Sequence, residues 1–147
     1  MSEVLNVKDK VQRYLLDLGV RPEVTEDGGW TFRTGSARVF VRVREQTGED
    51  SSRTLVELTA PVLFGVTPSA ELWEYVALSA DNWVFGHLWA AKQDEDDVTL
   101  LLSHRLLGDY LDPEELKSAV AGLAISAEEI DDQLADRFGG RRFHEES

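Results

Sequence analysis

The longest acidic run in the chain, Asp94-Glu95-Asp96-Asp97, is the first place to look for cation chemistry. A calcium loop needs an interior glycine for its sharp turn and a distal glutamate that grips the ion through both oxygens, and this run has neither. It reads as the solvated tip of a hairpin. The imidazoles are His87, His104 and His144, and no two stand four residues apart as a helical zinc motif requires. There is no cysteine, which removes thiolate metal sites and disulfides together. Ser103 and His104 are the nearest approach to a nucleophile and its base, but neighbours on a strand point to opposite faces. Asp109, Asp112, Glu114 and Glu115 offer acid and base groups, and the start of a helix accounts for Asp112 and Glu115 as capping residues. Gly28-Gly29 and Gly139-Gly140 do not open a phosphate-cradling loop ahead of a helix. These patterns predict no enzyme, no metal and no cofactor.

Two groups of residues remain that suit binding. Arg33, Arg38, Arg42, Arg44 and Arg53 fall close together, and Arg38, Phe40, Arg42 and Arg44 share one face of a strand. An aromatic ring among planar guanidinium donors suits an extended peptide with carboxylates, while Glu45 and Glu57 are placed to pair with the same arginines if the face is merely solvated. The second group is aromatic: Trp73, Tyr75, Trp83, Phe85 and Trp89. Tryptophan needs a partner for its N–H when fully buried and is enriched where proteins meet, so Trp73, Tyr75, Ala77, Ala80 and Trp89 are the candidate dimer interface.

The elements that must carry these groups follow from periodicity. Val7, Val11, Tyr14, Leu15 and Leu18 recur at helical spacing, with Asn6 as a cap and Gly19 and Pro22 as the stop. Strands are predicted around Trp30–Arg33, over Arg38–Arg44 with Val39, Val41 and Val43 inward, and over Thr54–Ala60 with a break at Pro61. A second helix is predicted from Thr67 and Pro68 to about Trp83, apolar around most of its circumference. Strands over Phe85–Ala91 and Val98–Leu102 follow. The last helix starts at Asp112, Pro113 and Glu115, has Leu111 and Leu116 as a hydrophobic staple, and runs to Phe138 before Gly139-Gly140.

Composition narrows the partners. The chain has 147 residues, one domain's length, and 28 acidic against 15 basic side chains give a net charge of −13. That charge repels phosphate backbones and anionic membranes, so neither nucleic acid nor a membrane is expected as a partner. Met1-Ser2-Glu3-Val4-Leu5-Asn6 has neither the basic region nor the apolar run of a secretion signal, and a cytoplasmic location is expected.

The order α-β-β-β-α-β-β-α, the stretch Trp83-Val84-Phe85-Gly86-His87-Leu88, the run Leu106-Leu107-Gly108-Asp109-Tyr110-Leu111 leading into Asp112–Leu116, and Phe138-Gly139-Gly140 resemble the YbjN-like, type III secretion chaperone-like peptide-binding family over nearly the whole chain. The resemblance implies a two-layer α+β fold with a mostly antiparallel sheet, a homodimer to which the second helix contributes, and partner segments held in extended form. The expectation is therefore a single chaperone-like domain over 1–138, a short flexible tail over 139–147, and a non-enzymatic protein that binds a peptide or protein client as a homodimer. The other reading is a regulatory or structural scaffold that binds a folded partner through its dimer surface.

Overall fold

The computed structural model describes residues 3–48 and 52–143. In chain order they form α1 (Glu3–Asp17), β1 (Glu23–Val24), β2 (Trp30–Thr34), β3 (Ala37–Thr47), β4 (Ser52–Val66), α2 (Ala70–Leu78), β5 (His87–Asp94), β6 (Asp97–Leu107), α3 (Pro113–Phe138) and β7 (Arg141–Arg142). The strands make one antiparallel sheet in the order β1-β2-β3-β4-β6-β5, with β7 paired to β4 beyond the end of β3. The expected α+β class and antiparallel sheet are what the structure has, and two short strands, β1 and β7, are added to the expected order of elements.

The period of two along β3 decides the layering. Val39, Val41 and Val43 are buried and face the same side as Val56, Leu58 and Ala60 of β4 and Leu100 and Leu102 of β6. Helices α1 and α3 pack on that side, α1 through Val7, Val11 and Leu15 and α3 through Leu116, Val120, Leu123 and Ala127. These side chains form a single apolar cluster whose burial drives the fold. Two close approaches set the spacing of the layers. A Cβ on Gly108 would stand 2.7 Å from a Val7 methyl, and one on Gly86 would stand 2.9 Å from a Leu123 methyl.

Several boundaries differ from the sequence expectation. Helix α1 begins at Glu3 rather than being capped by Asn6. Strand β4 continues through Pro61 to Val66, because the missing proline N–H falls where the ladder with β6 is already interrupted, between Pro61 and Leu63. Helix α2 is shorter than predicted at both ends. Ser69, not Thr67, caps it by accepting from the Leu72 amide at 3.1 Å, and the Ser79 hydroxyl donates back to the Tyr75 carbonyl at 2.5 Å where the helix stops. Helix α3 starts as expected, with the Asp112 carboxylate accepting from the Glu115 amide at 2.8 Å, and ends at Gly139 with φ 75°. Part of the stretch expected to be a flexible tail is ordered into the sheet: Arg142 pairs with Leu63 and Arg141 with Phe64. The rest of it, residues 144–147 with His144 among them, lies outside the described residues.

Candidate functional site

Among the described residues no helix packs on the second face of the sheet, and the strand registers lay its side chains out in rows. Arg42 of β3, Glu57 of β4 and Arg105 of β6 are directly opposite one another. On one side of this row stand Arg44, Leu55 and Leu107, and on the other Phe40, Thr59, Ser103 and His87. Beyond them Pro61, Leu101 and Trp89 make an apolar row. Arg42, Arg44, Arg105, Leu107 and Trp89 are exposed, Trp89 by 38%.

Glu57 organises the charged row. Its Oε1 accepts from Arg42 Nη2 at 3.4 Å and makes a close contact with Arg44 Nε, while its Oε2 stands 3.6 Å from Arg105 Nε. The Glu57 side chain is only 15% exposed and the three arginine side chains are 43% to 55% exposed. One sheltered anion thus holds three cations at the surface. Asp27 lies near the same row, and hydrogen bonds from the Thr25 hydroxyl and the Gly29 amide, with the Arg42 charge adding to them, hold its carboxyl below the usual carboxylate range. Arg38 completes the stripe by donating to the Thr31 hydroxyl at 3.3 Å.

Arg38, Phe40, Arg42 and Arg44 do share the open face, in the alternation that the sequence predicts. Arg105 belongs with them and was missed. Its signal was the period of two in Thr99, Leu101, Ser103, Arg105 and Leu107, set against buried Val98, Leu100 and Leu102. The candidate interface residues do not form one surface. Trp89 sits on the open sheet face, where its indole N–H donates to Ser103 Oγ at 2.6 Å and Ser103 in turn lies 3.2 Å from Thr59 Oγ1. Tyr75 leans on Phe138 of α3 at 5.6 Å between ring centres, under Arg137, which also pairs with Glu71 at 2.9 Å. Trp73 and Ala77 are exposed on one face of α2 and Ala80 is exposed just past its end, while Leu78, also exposed, lies on the side of Glu71, Glu74 and Arg137.

The residues with catalytic potential are placed structurally. His104 is on the core side of β6 opposite Leu58, edge-on to Phe85, and burial together with the nearby His87 pushes its pKa down; Ser103 faces the other way. Asp109 accepts from the Thr54 amide at 3.4 Å, next to the Gly108 amide bonded to the Thr54 carbonyl at 2.7 Å. No group of three metal-ligating side chains converges among the described residues. A small, partly open cleft between Ser36, Arg38, Pro61, Glu128, Asp131 and Phe143 measures about 10 Å³, room for one water molecule at most. Among the described residues no helix is long and apolar enough to cross a membrane.

Three helices on a mostly antiparallel sheet make an α+β fold that this chain shares with type III secretion chaperone-like proteins. Residues 6–146 match the family described as "T3SS (YopN, CesT) and YbjN peptide-binding chaperone 1", and the chain belongs to it. Among solved structures it is similar to YbjN of E. coli, described as a putative transcription regulator, with a TM-score of 0.62 and 14% identity over 89% of this chain and 93% of YbjN. It is also similar to the Yersinia pestis type III secretion chaperone SycH, solved in complex with a stable fragment of YscM2, with a TM-score of 0.54 and 15% identity over 84% of this chain and 98% of SycH. No curated protein sequence matches the chain.

Proposed function

We propose that the protein is a non-enzymatic, chaperone-like protein of the cytoplasm that holds an extended segment of a client peptide or protein on the open face of its sheet. The observation that carries this reading is the sheet face that no helix among the described residues covers, with Leu101, Trp89 and the half-buried Phe40, which meets Phe143 edge-on, near the arginines of β3. Such a face offers apolar contact and carboxylate recognition to a chain that supplies its own backbone geometry. Membership of a peptide-binding chaperone family and the partner fragment held by SycH point the same way. Replacing Arg38, Arg42 and Arg44 together by serine is expected to weaken client capture and flatten its salt dependence, with the melting temperature nearly unchanged because exposed arginine pairs contribute only about 0–1 kcal/mol each. Capture from cytoplasmic extract with the triple variant checks this, and undiminished capture with the same salt slope moves the site off the stripe.

The protein acts as a homodimer through α2 in this proposal. Trp73, 40% exposed, shares a face of α2 with exposed Ala77, and Ala80 follows just past its end, an apolar strip that a second copy can cover. Sedimentation at micromolar concentration is expected to show a dimer, and Trp73→Asp a folded monomer. A wild-type monomer refutes the interface. The same patch favours the second reading, a scaffold that docks a folded partner there, and a wild-type monomer that still captures a partner lost on Trp73→Asp is its signature.

A further inference from the structure

We infer that the client segment is acidic, with a carboxylate at one position and apolar side chains two and four residues away; this rests on the open-face reading above. The middle strands carry the argument. Their open-face positions hold Arg38, Arg42, Arg44 and Arg53 and one carboxylate, Glu57, in a chain whose net charge is −13. Positive charge is thus concentrated where a partner is to lie, against the sign of the rest of the molecule.

The cluster around Glu57 is built to receive a second anion. Arg44 and Arg105 approach Glu57 through Nε, Arg105 at 3.6 Å, and both side chains are about half exposed, so part of each guanidinium faces solvent. An arginine has five N–H donors in a planar fork that fits a carboxylate through two parallel bonds. Glu57 gathers the three arginines, and even with Asp27 beside Arg42 three cations face two carboxylates, which leaves the cluster short of negative charge. The ordering cost of three long side chains is met in the free protein, which favours binding of a carboxylate over retention of water.

The spacing comes from the rows. From Glu57 to Thr59 to Pro61 each step is two residues, about 7 Å along a strand. A client lying parallel to β4 turns every second side chain toward the sheet. Its carboxylate over Glu57 then places the next inward side chain over Phe40 and the one after it over Leu101 and Trp89. A nucleic acid is the other polyanion with flat rings, and the overall charge of −13 repels its continuous phosphates where a short acidic segment feels only the local cluster.

The test is fluorescence anisotropy with the full chain and a fluorescein-labelled ten-residue peptide carrying Glu, Phe and Leu at positions i, i+2 and i+4, together with its Glu→Gln and Glu→Lys forms. The Glu peptide is expected to bind about tenfold more tightly than the Gln form and to lose that advantage at high salt. The Lys form is expected to bind most weakly. In the Arg42→Ser, Arg44→Ser, Arg105→Ser variant the Glu and Gln peptides are expected to bind alike. Equal binding of the Glu and Gln peptides to the wild-type protein overturns the acidic client, and if Phe40→Ser then weakens both, the open-face reading survives without it. Binding of neither peptide overturns both. Tighter capture of a ten-nucleotide oligouridylate than of the Glu peptide overturns the inference in favour of a nucleic-acid partner. The peptide series on the wild-type protein decides the matter even if the triple variant misfolds.

Discussion

Leu58→Ala is expected to destabilise the protein by about 3 kcal/mol, within the range for a leucine truncated in a packed core. Leu58 lies in the middle of β4, is completely buried, and stands between Val41 of β3 and His104 of β6. The layer above it is α1 and α3, whose apolar residues join the same cluster. Removing three carbons forfeits their transfer free energy and leaves a hole that strands paired on both sides cannot close. Denaturant titration checks this through a lower midpoint at unchanged slope. A loss under about 1 kcal/mol contradicts a core centred on β4. Thr59→Ala, one residue along and on the open face, is expected to cost far less.

Gly29→Ala is the second large effect, and its origin is backbone against backbone. Gly29 is buried, and a Cβ there would stand 2.3 Å from the Val41 carbonyl oxygen and 3.4 Å from Arg42 Cα. Neither atom can move without parting β2 from β3. The Gly29 amide is also bonded to Thr25 Oγ1 and Asp27 Oδ1, each at 3.1 Å, so the turn cannot slide away. A cost of about 2–3 kcal/mol is expected, seen as a fall in melting temperature of about 6 °C or more. Gly19→Ala is the control. A Cβ at Gly19 meets nothing within 4 Å, which leaves only its φ of 81° to oppose the change. Equal melting temperatures for the two variants refute the steric account.

What was legible in the sequence was what is local. The cap at Asp112, the proline after it and the inward valines of β3 are set by neighbours a few residues away, and each is found where periodicity places it. The open face is not local. Arg105 joins Arg42 only because β6 pairs with β4, and Trp89 reaches the same face only because β5 pairs with β6; strand order is a property of the whole chain. Helix α2 shows the opposite error. Its apolar pattern runs on to Trp83, so periodicity overstates its length, while a single serine side chain turns back on the last turn and a bend follows. Pro61 likewise reads as a stop until the irregular register that tolerates it is known.

The pairing of β7 with β4 has a bearing on biosynthesis. Leu63 and Phe64 receive their partners from Arg142 and Arg141, and the Phe143 ring stands edge-on to Phe40 and Phe64 at 6.1 and 5.5 Å. A ribosome delivers β4 long before it delivers those partners. Until residues 141–143 leave the exit tunnel, a stretch of β4 presents unpaired amides and carbonyls next to a bare phenylalanine, which is the kind of edge that recruits stray strands. A member of a peptide-binding chaperone family thus passes, during its own synthesis, through a stage with an unprotected strand edge.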